Sequence, residues 1–128
     1  MPGEIIPIEL RRFISAHFRS VEQLEILLLL HGKHDAPWSI QAVYDVILSS
    51  KPSVERWLED FVRLGFLQKT SETPPRYLFA ASGETASLIA SLDQLYKSKP
   101  VRIIEAIFQR DRDPAQSFAD AFKIKKQP

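Results

Sequence analysis

Apolar positions recur along this chain at helical spacing, and proline, glycine and serine mark where each run starts and stops. From Ser49 to Leu67 the sequence reads SSKPSVERWLEDFVRLGFL, with Val54, Trp57, Leu58, Phe61, Val62 and Leu64 on one helical stripe. Pro52 suits the first turn, where its missing N–H has no partner to lose. Gly65 suits the position just past the end, where left-handed backbone stops a helix without a Cβ penalty. Ser53, Glu55, Arg56, Glu59, Asp60 and Arg63 form the polar face. The pattern predicts an amphipathic helix over 52–64, followed at once by the apolar pair Phe66-Leu67.

Upstream, Ser39 is a good N-cap for a short helix carrying Ile40, Val43 and Val46 or Ile47 on one side. A turn at 48–51 joins it to the longer helix. Downstream, 66–70 and 76–80 read as two strands, with the turn residues SETPP between them. Further towards the N-terminus, Leu10, Phe13, Ile14 and Phe18 give a short amphipathic helix after a loose lead-in at 1–7. Ser20-Val-Glu-Gln23 is a capping-box pattern. It opens a helix that is apolar on most of its circumference from Leu24 to Leu30 and ends at Gly32; such a helix belongs in the core. After the second strand, Leu88, Ile89, Leu92, Leu95 and Tyr96 stripe another helix, which Pro100 interrupts. It resumes over 101–109 with Val101, Ile104, Ile107 and Phe108 aligned and Ile103 beside them. A turn at 111–114, a last short helix at 115–122 and a basic tail follow.

Short helix, turn, longer helix and two-stranded ribbon resemble the winged helix-turn-helix of bacterial transcription regulators. The run S-x-V-x-R-x-L-x-x-F-x-x-x-G-F-L is similar to the recognition helix and the start of the wing in the MarR-like family. The resemblance covers roughly residues 20–81. It implies a mainly α fold with a small β-wing, flanked by an N-terminal helix and a C-terminal helical extension. The expected organisation is a single domain over 1–128: an N-terminal helix at 8–19, the winged unit at 20–81, the helical extension at 82–122 and the basic tail at 123–128. It also implies duplex DNA as partner, with helix 52–64 in the major groove, and a homodimer formed by the N- and C-terminal helices. Winged helices also serve as protein-docking modules, and a docking module that binds no DNA is the alternative.

Composition adds bounds. The chain has 128 residues, 45% apolar and 26% charged, as in ordinary globular proteins. It has no cysteine, so no disulfide, thiolate or zinc-thiolate chemistry, which fits a cytoplasmic protein. The N-terminus lacks a basic stretch before an apolar run, so no signal peptide is expected. The longest apolar run, 26–30, is too short to span a bilayer, so no membrane association is expected. Charge changes the picture most. Residues 1–96 carry 9 basic and 12 acidic side chains, whereas 97–128 carry 8 and 4. Residues 38–81 balance at 5 and 5. A DNA-binding face is usually basic, so this neutrality motivates the docking alternative. Phosphate contacts from Lys123, Lys125 and Lys126 are a compensating expectation.

The candidate DNA-binding residues are Ser39, Gln41, Lys51, Ser53, Glu55, Arg56, Lys69 and Arg76. Arg56 is the natural base reader, because arginine pairs bidentately with guanine. Glu55 is suited to accept from cytosine. Lys69 and Arg76, one on each wing arm, suit the minor groove. The competing account makes the helix surface a solvated face laced by Arg56–Asp60 and Glu59–Arg63 pairs, and the wing charges plain edge protection. His31 and His34 stand three apart beside Asp35, but Gly32 intervenes and no thiolate or third histidine is near, so no metal site is expected. His31 reads instead as a helix C-terminal residue favoured by the dipole, and His17 as a partly buried side chain. No nucleophile elbow, P-loop or dinucleotide fingerprint occurs, so neither enzyme activity nor a cofactor is expected.

Overall fold

A computed structural model describes residues 6–109. Most of the expected lead-in, the turn at 111–114, the last short helix at 115–122 and the basic tail at 123–128 lie outside the described residues. Within them the chain runs α1 (Ile8–His17), α2 (Val21–Gly32), β1 (Trp38–Ser39), α3 (Ile40–Ile47), α4 (Lys51–Leu64), β2 (Leu67–Lys69), β3 (Arg76–Phe79), α5 (Gly83–Ser98) and α6 (Pro100–Gln109). This is a mainly α fold with a small antiparallel wing.

The centre is α2. Leu24, Ile26, Leu27 and Leu30 have no exposed surface, and α3, α4, α5 and β3 all pack on this helix. Its start is built by local hydrogen bonds. The Gln23 amide N–H donates to the Ser20 hydroxyl at 3.1 Å. The Gln23 side chain accepts from the Arg19 N–H at 2.8 Å and donates to the His17 carbonyl at 2.6 Å. The expected capping box therefore reaches one residue further back, and the buried Gln23 satisfies the turn that joins α1 to α2.

The phase of α4 follows from its stripe. Val54, Leu58 and Phe61 are fully buried. The Ser50 hydroxyl accepts from the Ser53 N–H at 3.2 Å, and Pro52 stands in the first turn. Gly65 takes φ 85°, and its N–H turns back to the carbonyls of Phe61 and Val62. Trp57 departs from expectation. It is half-buried on the flank of the helix instead of beneath it, since Val54, Leu58 and Phe61 already fill the inward stripe.

The wing also differs. Two strands were expected, and three form, in the order β1-β3-β2. Trp38 pairs with Tyr77 and Ser39 with Arg76, while Leu67 faces Phe79 and Lys69 faces Tyr77. An N-cap residue has extended backbone, so Ser39 ends a strand and starts a helix at once. Its hydroxyl accepts from the Ala42 N–H at 3.0 Å.

At the other end, Pro100 begins α6 rather than merely breaking α5, as a missing N–H allows at a helix start. The buried face of α6 is Ile103, Ala106 and Ile107. The expected alignment of Val101, Ile104, Ile107 and Phe108 is thus out of phase: Ile107 and the neighbouring Ile103 face in with Ala106, while Val101 and Phe108 are exposed. Helix α1 contacts both α5 and α6. It is tied to the winged unit by rings: Phe13 lies 5.6 Å from Phe66 and 5.9 Å from Phe18, and Phe18 lies 6.2 Å from Phe61. His17, half-buried as expected, sits against Phe13 and Phe66.

The depth of Phe61 and the flank position of Trp57 set an order of stabilities. Phe61→Ala should cost about 3–5 kcal/mol. Trp57→Ala should cost less, despite removing the larger ring. Denaturant melts of the two variants check this; an equal or larger loss for Trp57→Ala contradicts the phase of α4.

Candidate nucleic-acid interface

A helix with one buried stripe presents its remaining side chains as a surface, and burial of Val54, Leu58 and Phe61 decides which. Lys51, Pro52, Glu55, Arg56 and Arg63 are exposed on α4, while Ser53, Glu59 and Asp60 are partly covered. Lys51, Ser53, Glu55 and Arg56 thereby share its first two turns. Ser50, Pro52, Ser53 and Arg56 line a shallow hollow there. The wing is brought beside α3 by backbone pairing, since Arg76 lies opposite Ser39 in the β1–β3 ladder. Sequence spacing gave no hint of that juxtaposition.

Several of the candidate residues are already engaged within the protein. The Ser39 hydroxyl caps α3. Gln41 is exposed and donates to Asp45 at 2.8 Å. The Lys51 ammonium stands 5.7 Å from the centre of the Tyr44 ring. The Ser53 hydroxyl turns inward and donates to Glu22 at 3.0 Å. Glu55 is exposed, and the Arg56 guanidinium lies 5.3 Å over the Trp57 ring. Lys69 pairs with Glu59 at 2.7 Å, and Arg76 with Glu72 at 3.6 Å. These wing pairs are well exposed, so each holds its cation only weakly.

The lacing expected along α4 is different in detail. Asp60 pairs with Arg63, three residues on, at 2.8 Å, in place of the Arg56–Asp60 and Glu59–Arg63 pairs. Glu59 faces the wing instead. It accepts from the Tyr77 hydroxyl at 2.5 Å as well as from Lys69. Those two hydrogen bonds, Lys69 first, outweigh burial and hold the Glu59 carboxyl below the ordinary range. Tyr77 is driven up in turn, by burial first and then by the carboxylate beside it. One acidic side chain of α4 is therefore a strut between helix and wing, not a charge set against phosphate.

Three further ties were missed by sequence reasoning, as were those of Ser53 to Glu22 and of Glu59 to the wing. Ser49 donates to Glu22 at 2.6 Å, Tyr96 donates to Glu25 at 2.8 Å, and His31 Nδ1 meets Asp93 at 2.7 Å. The last adds to the expectation for His31, which stands in the last turn of α2 as expected and also meets a buried aspartate of α5 and rests against the Phe79 ring. Asp93 itself interrupts the apolar stripe of α5 as a charged residue at a buried position, and that was the one available signal. Among the described residues no group of three or more His, Cys, Asp and Glu side chains is arranged to hold a metal ion. No helix among them is long and apolar enough to cross a membrane.

No protein-family model matches the chain, and no curated protein matches it in sequence. Solved structures do match. A mutant form of MarR from E. coli superposes with a TM-score of 0.52 at 11% identity, covering 95% of this chain and 96% of that one. MepR, a transcription regulator of the Staphylococcus aureus multidrug efflux pump MepA, gives 0.51 at 11%, covering 92% and 89%. The heme sensor protein PefR from Streptococcus agalactiae, in complex with heme, gives 0.53 at 10%, covering 92% and 78%. The described residues have the winged-helix fold of these proteins.

The Glu59 strut has a pH signature. A carboxyl whose pKa is lowered by folding adds stability that is fully present above its unfolded value, near 4.5, and is lost as pH falls through the folded value. Glu59→Gln should therefore lower the melting temperature at neutral pH, and the gap to wild type should close as pH drops below 4.5. Thermal melts across that range check it; a gap that stays constant at all pH values contradicts the strut.

Proposed function

We propose that this protein is a bacterial-type, non-enzymatic transcription regulator that binds duplex DNA sequence-specifically as a homodimer. The observation that carries this is α4, a capped amphipathic helix whose exposed first two turns present Lys51, Glu55 and Arg56 beside a three-stranded wing. The same arrangement of elements recurs in MarR and in MepR, a named transcription regulator. In this function α4 lies in the major groove, with Arg56 as the side chain that reaches a base edge. Gln41, at the start of α3, and the wing residues Lys69 and Arg76 approach the backbone. Ser39 and Ser53 contribute by shaping the surface, since their hydroxyls are occupied. Surface ion pairs are cheap to exchange, so Lys69 and Arg76 can leave their glutamates for phosphates.

The near-neutral helix-turn-helix then has a consequence for affinity. Few cations face the duplex, so few counterions are released, and binding depends on salt less steeply than for a strongly basic domain. A mobility-shift assay on duplexes selected from a random pool tests the function over a salt series. Selection of a defined sequence is expected, and Arg56→Ala should weaken its binding by roughly 1–3 kcal/mol and relax preference at one position. Failure to enrich any sequence would favour the protein-docking alternative.

Dimerisation is supported by the flanking helices. Ile8 of α1 and Val101 and Phe108 of α6 are 57%, 64% and 54% exposed, large apolar side chains left without cover. An open groove of about 590 Å³, lined in part by Leu10, Leu88 and Leu95, runs between α1 and α5. Two-fold pairing there would set two copies of α4 roughly 34–36 Å apart, one helical turn of DNA. Light scattering should give twice the 14.7 kDa chain mass at micromolar concentration. Phe108→Glu should shift that towards the monomer; a wild-type monomer removes the dimer.

A further inference from the structure

Glu22 occupies an unusual place for an acidic residue in a DNA-facing unit. It stands in the first turn of α2, yet both of its carboxylate oxygens are used by the segment that begins α4. Ser49, in the turn before α4, donates to Oε2 at 2.6 Å, and Ser53, in the first turn of α4, donates to Oε1 at 3.0 Å. The two serines bracket the N-cap residue Ser50. One carboxylate thus ties the turn before α4 and its first turn to the first turn of α2. Arg56 follows Ser53 by three residues, on the same face, with its guanidinium over Trp57. Burial pushes the Glu22 carboxyl up, but the hydroxyls of Ser49 and Ser53, the Trp57 indole N–H and the charge of Arg56 together outweigh it. The indole acts at longer range, since its buried nitrogen forms no hydrogen bond of good geometry. The side chain is ionised at neutral pH.

Forming α4 does not require this carboxylate. Ser50 already caps the helix, and Val54, Leu58 and Phe61 already anchor it. The negative charge also lies at the helix end whose dipole would otherwise attract phosphate. An acid there weakens sequence-independent attraction to DNA, so its value has to lie elsewhere. We propose that Glu22 is a positioning residue for DNA recognition: it holds the N-terminal turn of α4 at one roll angle within the freedom its apolar stripe leaves and aims the Arg56 guanidinium, raising specificity at the expense of non-specific affinity. This rests on the DNA-binding function above, with Arg56 as reader.

The test compares a duplex selected by the wild-type chain with a scrambled duplex, at one salt concentration. The proteins are wild type, Arg56→Ala, Glu22→Ala, Glu22→Gln and the double variant Ser49→Ala/Ser53→Ala. Glu22→Ala should reduce the ratio of selected to scrambled affinity about tenfold, within the range that one base-reading arginine supplies. Affinity for the scrambled duplex should hold or rise, because a negative charge has gone. Glu22→Gln should fall between, since its amide oxygen still accepts one hydroxyl. The double serine variant should lose specificity while keeping the charge. A merely structural role would instead lower both affinities together, along with the melting temperature, and that result overturns the proposal. So does a wild-type ratio in a folded Glu22→Gln or double serine variant when Arg56→Ala loses it. If Arg56→Ala also keeps the ratio, α4 is not the reader, and the function and the proposal fall together.

Discussion

Burial of α2 is the constraint on which the rest of this structure depends. A helix that is apolar on nearly every side has no face to give to water, so other elements have to enclose it. Here α3, α4, α5 and β3 do so. Each of those elements is amphipathic or half-buried, and each spends its one apolar face on α2 or on its neighbours. What remains outside is therefore fixed by subtraction. The exposed Arg56 and Glu55 face outward because Val54, Leu58 and Phe61 face inward.

Apolar contact is non-directional and leaves some freedom of sliding and rotation. Polar ties at the rim of α2 remove it. Glu22 at the first turn holds the start of α4, Glu25 meets Tyr96 of α5, and His31 at the last turn meets the buried Asp93 of α5. A fourth tie, Glu59 with Tyr77 and Lys69, joins α4 to the wing. These contacts are individually modest, and the exposed ones add little stability. Their direction is what matters, because hydrogen bonds weaken steeply off axis. The face formed by α4 and the wing is thus a set of elements whose spacing is set by the core and whose angles are set by polar links.

This arrangement accounts for the charge balance that argues against DNA binding when only totals are counted. Five acids offset five bases between residues 38 and 81. Of those acids, Glu59 braces the wing, Asp60 holds Arg63, Glu72 holds Arg76 and Asp45 accepts from Gln41. Glu55 is the exposed acid on the outward face of α4 without such a role. The pairs engage bases and acids alike, so the neutrality of the segment largely reflects internal ties.

Local patterns determined most of the elements. Ser20, Ser39, Pro52 and Gly65 bound helices because capping and backbone restriction act within a few residues, and the stripe of α4 and the all-round apolarity of α2 are local periodicities. The sequence by itself therefore determined the order of helices, the phase of α4 and the buried place of α2. Only the tertiary structure decided what depends on contacts between distant segments. It turned Trp38-Ser39 into a third strand, rolled α6 so that Ala106 faces in and Phe108 faces out, and moved Trp57 to a flank. It also joined Glu22 to Ser49 and Ser53, 27 and 31 residues away, and His31 to Asp93, 62 residues away. A carboxylate or an imidazole carries no periodic signal, and its partner is chosen only when packing of the apolar faces brings the two together.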